Sequence, residues 1–310
     1  MENRKKKYSD GYATKTRTGK TSRGNKGYGE KAYPKFKRSA AGKTTGRNPE
    51  YSERRREATP SVDSENVVYG RNPVMELIRS GRTIDKIYVA KGEREGSIVK
   101  LIAMAKDRSI PVVEADKAKL EKMTGTSAHQ GVMAFTTEFE YCEIEDILAL
   151  AEERGEKPFI LVVDGIKDPG NLGAIIRTAE TSGVHGIILP KRNSCGLTAT
   201  VFKAAAGACE YMKISRQTNI TSAIEKLKEN NVWVYGMDGG EGSGELYGTD
   251  LTGAVAIVLG DEGEGISRLV REHCDYLLRI PMAGNITSLN ISAAGAVAMY
   301  EVVRQRLGGK

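Results

Sequence analysis

The chain is poor in the residues that hold metals and disulfides. Its 310 residues include three histidines and four cysteines, Cys142, Cys195, Cys209 and Cys274, with no C-x-x-C pair and no histidine at metal-ligand spacing. A zinc module or a disulfide framework is therefore excluded, and the thiols read as reduced. Long apolar runs are missing too. No eighteen consecutive apolar residues occur, and the charged start Met1-Glu2-Asn3-Arg4-Lys5-Lys6-Lys7 leads into no apolar segment of the secretory kind. The expectation is a cytoplasmic protein with no membrane partner. Val, Ile and Leu are absent from the first 61 residues. Such a segment cannot bury enough apolar surface to offset its ordering entropy, so residues 1–63 are expected to form a disordered basic tail. No G-x-G-x-x-G occurs. The Gly-Lys-Thr triplets at 19–21 and 42–44 lack the earlier glycine of a phosphate loop, since Thr14 and Lys37 stand there. Dinucleotide binding and nucleoside triphosphate hydrolysis are thus unsupported.

What is present is unevenly placed. Residues 1–58 hold eighteen Lys and Arg against six Asp and Glu, a balance of +12, while the rest of the chain is at −5. Basic character belongs to the tail and not to the folded body. Tyr8, Tyr12, Tyr28, Tyr33, Phe36 and Tyr51 are interleaved with those cations. Rings among cations suit stacking on unpaired bases with phosphate contact, and a solvated solubility tail has the same composition.

Beyond the tail, two α/β modules are legible. The first spans 64–140. Its predicted elements are a helix from Asn72-Pro73 to Gly81, a strand at 84–89, a helix at 98–105, a short strand at 110–113, a helical turn at 118–123 and a strand at 129–135. Residues 141–157 read as an acidic helical linker. The second module, 158–310, alternates strands at 159–163, 186–190, 209–214, 232–237, 254–259 and 276–280 with helices at 169–182, 218–229, 266–273 and about 288–307. Alternation of this kind implies a largely parallel sheet covered on both sides.

Three stretches of the second module carry more polar residues and glycines than packing needs. Pro158-Phe159-Ile160-Leu161-Val162-Val163 is an unbroken buried strand that runs into Asp164-Gly165-Ile166-Lys167-Asp168-Pro169-Gly170-Asn171 and then a helix with Leu172, Ile175, Ile176 and Ala179 at core spacing, which singles out Arg177. In open α/β sheets ligands bind outside the carboxyl ends of strands, where this turn lies. Leu259-Gly260-Asp261-Glu262-Gly263-Glu264-Gly265 follows another apolar strand, and its acids suit a neutral or cationic ligand better than an anionic one. Ile280-Pro281-Met282 leads through a loop to Ser288-Leu289-Asn290-Ile291-Ser292, with Ser288 expected to cap a helix rich in small residues. That helix suits close backbone approach, either within the chain or in self-association. Each stretch has an ordinary reading as turn and cap chemistry. Three of them at strand ends of one module favour a site.

In order and spacing, Asp168-Pro169-x-Asn171-x-Gly173 with Arg177, Leu259-Gly260-x-Glu262-Gly263-x-Gly265, and Ile280-Pro281-Met282 with Ser288-Leu289-Asn290-Ile291-Ser292 resemble the three motifs of the SpoU–TrmH family of RNA ribose 2′-O-methyltransferases. Residues 67–140, with Tyr69-Gly70-Arg71-Asn72-Pro73-Val74 and His129-Gln130-Gly131-Val132, resemble the small RNA-binding domain that precedes the catalytic domain in many members. The pairing is similar to bacterial enzymes that methylate a guanosine ribose in large-subunit ribosomal RNA. Two features depart from the family pattern. The tail has no counterpart, and Asp261 stands where a small residue is common.

The resemblance implies a parallel-sheet domain threaded into a trefoil knot, which no periodicity argument supplies. It implies S-adenosylmethionine held by backbone groups near Leu259, Gly260, Ile280, Met282 and Leu289, no metal, and a homodimer acting on RNA, with ribosomal RNA expected before transfer RNA. It also implies roles for five side chains: Arg177 at the ribose hydroxyl, Asn171 orienting it, and Glu262, Ser288 and Asn290 shaping the nucleotide site. A catalytically silent RNA-binding or ribosome-assembly protein would keep the fold without needing all five.

Overall fold

The computed structural model describes residues 66–92, 96–240 and 242–308, so the basic tail expected over 1–63 lies outside the described residues. Among the described residues no helix is long and apolar enough to cross a membrane.

The first module is built on a four-stranded sheet. Strands β1 (Val67–Tyr69), β2 (Ile84–Ala90), β3 (Val112–Ala115) and β4 (Val132–Thr136) lie in the order β1-β4-β2-β3, with β2 and β3 parallel and the other pairs antiparallel. Helices α1 (Arg71–Ser80) and α2 (Ser97–Asp107) bury Val74, Leu77, Ile98 and Leu101 in one core. On the other side α3 (Lys117–Thr124) buries Leu120 and Met123 with Tyr69, Tyr88 and Met133. Helix α1 stops at Gly81, whose φ of 84° is open to a residue without a Cβ. Strand β4 begins three residues later than the apolar run suggests. Ser127–His129 form a 3-10 turn, and Gln130 and Gly131 both have positive φ, so the chain cannot extend until Val132. Strand β3 is displaced likewise, by two residues, and β1 is a short strand beyond the predicted set.

The second module carries a seven-stranded sheet in the order β7-β6-β5-β10-β8-β11-β9, every neighbouring pair parallel. Its strands are β5 (Phe159–Val163), β6 (Gly186–Pro190), β7 (Lys213–Gln217), β8 (Trp233–Met237), β9 (Gly244–Glu245), β10 (Val255–Leu259) and β11 (Tyr276–Arg279). Alternate residues serve two cores. Phe159, Leu161 and Val163, with Val255, Ile257 and Leu259, face α5 (Pro169–Thr181), α6 (Ala199–Ala204) and α9 (Ile291–Gly308). Ile160, Val162, Ala256 and Val258 face α4 (Ile144–Glu153), α7 (Ile220–Glu229) and α8 (Arg268–His273). The acidic helix of residues 141–157 is thus α4, with Ile144 and Ile147 fully buried on the large sheet. Expected strand 209–214 is corrected: Ala208–Glu210 form a 3-10 turn after Gly207, and β7 starts at Lys213.

The two modules share one continuous apolar core that runs from Val68 and Leu77 to Phe202 and Met212. Polar contacts line the same seam. Arg82 pairs with Glu210 at 3.1 Å beneath the rings of Phe139 and Phe202, and Tyr211 donates its hydroxyl to Glu76 at 2.7 Å.

Candidate active site

Strand β5 has β6 on one side and β10 on the other, so the sheet order reverses between β5 and β10. At such a switch point the two connecting loops leave in opposite directions and open a crevice at the carboxyl ends of the strands. The predicted residues come from the loops on this side.

The loop after β5 is laced to the loop after β10. The Asp164 N–H donates to the Leu259 carbonyl at 2.7 Å, and the Asp164 carboxylate accepts the Ser267 N–H at 2.8 Å. Lys167 approaches Asp261 at 3.4 Å. Asp168 then caps α5: its Oδ1 accepts the Asn171 N–H at 2.7 Å, with Pro169 opening the helix. This places Asn171 at the mouth of the crevice.

Gly260 turns the chain out of β10 against its own loop. A Cβ there would lie 2.1 Å from the Gly265 carbonyl carbon, which no side chain tolerates. Asp261 and Gly265 close the loop by exchanging backbone hydrogen bonds at 2.8 and 2.9 Å. The Asp261 Oδ1 accepts the N–H groups of Gly263 at 3.0 Å and Glu264 at 3.3 Å. Those backbone donors, with Lys167 a lesser contributor, hold the Asp261 carboxyl below its ordinary range.

Three of the five side chains expected to act on substrate meet. Asn290 donates from Nδ2 to Asn171 Oδ1 at 3.1 Å and to Glu262 Oε1 at 2.6 Å. Its Oδ1 accepts the Ser292 and Ala293 N–H groups at 2.9 and 3.4 Å. Asn290, and not Ser288, is therefore the cap of α9; Ser288 lies two residues too early in an exposed loop. No hydrogen bond joins Ser288 or Arg177 to the trio. Arg177 is exposed on α5, and among the described residues no ion pair or hydrogen bond engages its guanidinium, so the pairing with Glu180 that would make it ordinary is absent.

Of the cofactor-side residues, Ile280 and Met282 line a cleft of about 460 Å³ with Gly239, Glu245, Pro281 and Ile286. The Leu259 side chain is core, Gly260 is buried in its turn, and Leu289 is 42% exposed outside that lining. Gly239, from the loop after β8, and Glu245, in β9, escaped sequence reading; a Gly-Gly pair after an apolar strand was the available signal. A larger cavity of about 650 Å³ lies at the seam between modules, away from these residues. Burial there raises the Glu210 carboxyl above its ordinary range despite Arg82. Among the described residues no group of three or more His, Cys, Asp or Glu could hold a metal ion.

The small residues of α9 pack within the chain. A Cβ on Gly295 would lie 2.7 Å from Leu259 Cδ1, and Ala298, Met299 and Val302 are buried beside it.

Residues 158–300 match the model of the SpoU rRNA methylase family, and residues 67–142 match that of the RNA 2′-O ribose methyltransferase substrate-binding domain. YacO of Bacillus subtilis, named for the TrmH family of tRNA/rRNA methyltransferases, is 42% identical over 239 residues, covering 77% of this chain and 95% of that protein. A Staphylococcus saprophyticus protein of the same naming is 41% identical over 242 residues, or 78% and 96% of the two chains. The crystal structure of the SpoU methyltransferase AviRb from Streptomyces viridochromogenes, in complex with AdoMet, shares the fold at a TM-score of 0.65 and 22% identity, over 78% of this chain and 91% of that one. With both modules matched in order and relatives aligned over nearly their whole length, the chain belongs to the SpoU–TrmH family of RNA methyltransferases.

Proposed function

We propose that the chain transfers a methyl group from S-adenosylmethionine to a ribose 2′-hydroxyl, that of a guanosine, in large-subunit ribosomal RNA. The observation that carries this reading is the Asn171–Asn290–Glu262 network at the switch point, with Arg177 exposed further along α5 and its guanidinium unpaired among the described residues. Spare polar groups at the open end of a sheet are groups available to a substrate. The preceding substrate-binding module favours ribosomal RNA over transfer RNA by analogy.

The cleft suits the cofactor. Ile280, Met282 and Ile286 offer apolar walls to a base and glycine backbone offers hydrogen bonds, while Glu245 and Arg279 pair with each other at 3.4 Å in the same lining. When bound, S-adenosylmethionine supplies a methyl group on an activated sulfonium leaving group. The chain's own residues position the other reactant. Arg177 brings a guanidinium with donors and no acceptor, so it orients the 2′-hydroxyl and stabilises the negative charge that develops on that oxygen. Asn171 and Glu262, tied through Asn290, fix the rim against which the nucleotide docks, and alignment of this kind supplies much of the rate. A homodimer fits the exposed apolar residues of the 281–290 loop, where Ile286 is 78% exposed. Four free thiols fit a cytoplasmic location.

The test is transfer of radiolabelled methyl to unmodified ribosomal and transfer RNA offered separately. Label on a guanosine 2′-oxygen of large-subunit RNA is the expected result. Label on transfer RNA alone would overturn the substrate, and label on neither would overturn the reaction.

A further inference from the structure

Asp261 has no role in the chemistry described above, yet it makes more contacts than any other side chain of its loop. Its Oδ1 accepts two backbone N–H groups of the turn that carries Glu262, and its Oδ2 faces Lys167 at 3.4 Å on the loop that carries Asn171. The carboxylate is only 19% exposed, whereas the Lys167 side chain is 63% exposed. One side chain thus ties the loop after β5 to the loop after β10, next to the residue that reaches Asn290.

Geometry says why that matters. Glu262 and Asn171 stand on different loops, and Asn290 bonds to both, so all three keep their positions only if the separation of the two loops is fixed. Gly263 and Gly265 flank Glu262 and Glu264 and leave that backbone little stiffness of its own. An aspartate whose side chain accepts the N–H groups two and three residues ahead restores it.

We propose that Asp261, with Lys167 as its partner, is a positioning residue that acts on methyl transfer through Glu262 and Asn290. The idea rests on the proposed function for its kinetic consequence but not for its structural one. Asp261→Asn keeps an acceptor for the turn and removes the charge pair with Lys167; Asp261→Ala removes both.

The experiment uses the full chain, comparing wild type, Asp261→Asn, Asp261→Ala, Glu262→Gln and the Asp261→Ala/Glu262→Gln double variant by methyl transfer and by amide hydrogen exchange. In Asp261→Ala, exchange should quicken at Gly263 and Glu264 and also at Ser292 and Ala293, whose N–H groups Asn290 caps. Turnover should fall roughly 10- to 100-fold in Asp261→Ala, as expected for a small misplacement at a reacting site, with Asp261→Asn, which keeps the turn but loses the tie to Lys167, falling between Asp261→Ala and wild type. The double variant should be no slower than Glu262→Gln, since a residue that acts through another adds nothing once that other is gone. Faster exchange confined to Gly263 and Glu264 would overturn the proposal, as would an additive double variant. Exchange spreading to Ser292 and Ala293 in a protein that methylates neither RNA would leave the positioning role standing and remove the proposed reaction.

Discussion

The two ends of the large sheet use polar residues in opposite ways. At the amino end two polar side chains, His185 and Arg306, serve the fold's own backbone. His185 is buried, accepts the Phe159 N–H at Nδ1 at 3.0 Å and lies 3.0 Å from Glu156 through Nε2. Arg306, from α9, donates to the carbonyls of Lys157, Pro158 and Gly253 at 2.7 to 3.0 Å, with its guanidinium over the Phe159 ring. At the carboxyl end Asn290 bonds to Asn171 and Glu262 while open to solvent, residues 281–290 are all exposed, and among the described residues the Arg177 guanidinium has no partner. Polar groups satisfied inside the protein stabilise it; polar groups arranged but left accessible are available to something else.

The sharpest way to break that contrast is to truncate one arginine at each end. Arg177→Ala should lower methyl transfer by about 10²- to 10³-fold, the usual cost of removing a charge-stabilising donor. Its stability should stay within about 0.5 kcal/mol of wild type, as for a surface change that breaks no internal contact. Turnover and calorimetry on the same preparation check both halves. A variant that melts early would place Arg177 in the fold and equalise the two ends.

Arg306→Ala should do the reverse. Three backbone carbonyls lose their donor, costing about 2–3 kcal/mol, or roughly 4–12 °C in the melting midpoint for a body of this size. Turnover below the transition should stay near wild type, because the carboxyl end is untouched. Lost turnover in a folded Arg306→Ala protein would show the two ends to be coupled.

How far this division is legible in the sequence differs between its halves. The carboxyl end is marked by residue types that packing does not call for, and Asn171, Glu262 and Asn290 do converge. The amino end is unmarked. The His185 ring accepts an N–H 26 residues away, Arg306 serves carbonyls 53 to 149 residues away, and no local pattern ties the end of the last helix to the start of β5. Periodicity located most core strands and helices, since burial on two faces imposes it, and it failed where glycine or positive φ decides the path. The chain curls at Ala208–Glu210 and at Ser127–Gly131 although the side chains there are largely apolar or small. The cap of α9 was misplaced for a related reason: Ser288 and Asn290 are both good caps, and only the site's demand on Asn290 distinguishes them. Short α6 and two-residue β9 are too brief for a period to register.

The smallest expected effect concerns pH and the amino end alone. Burial lowers the proton affinity of His185, outweighing the attraction of Glu156. The geometry agrees, because Nδ1 already accepts the Phe159 N–H and has no room for a proton. Below the ordinary histidine range near pH 6.5, the unfolded chain takes up a proton that the folded chain resists. The stability due to the neutral ring is therefore complete above that range and is lost as pH falls toward the lowered folded value. His185→Asn keeps an acceptor near Nδ1 and removes the titration, so its midpoint should fall less than that of wild type between pH 7 and pH 5. Equal slopes in the two proteins would show that acid sensitivity comes from other groups and that His185 takes up a proton as readily folded as unfolded. Arg177→Ala should keep the wild-type slope, since nothing at the carboxyl end touches this ring.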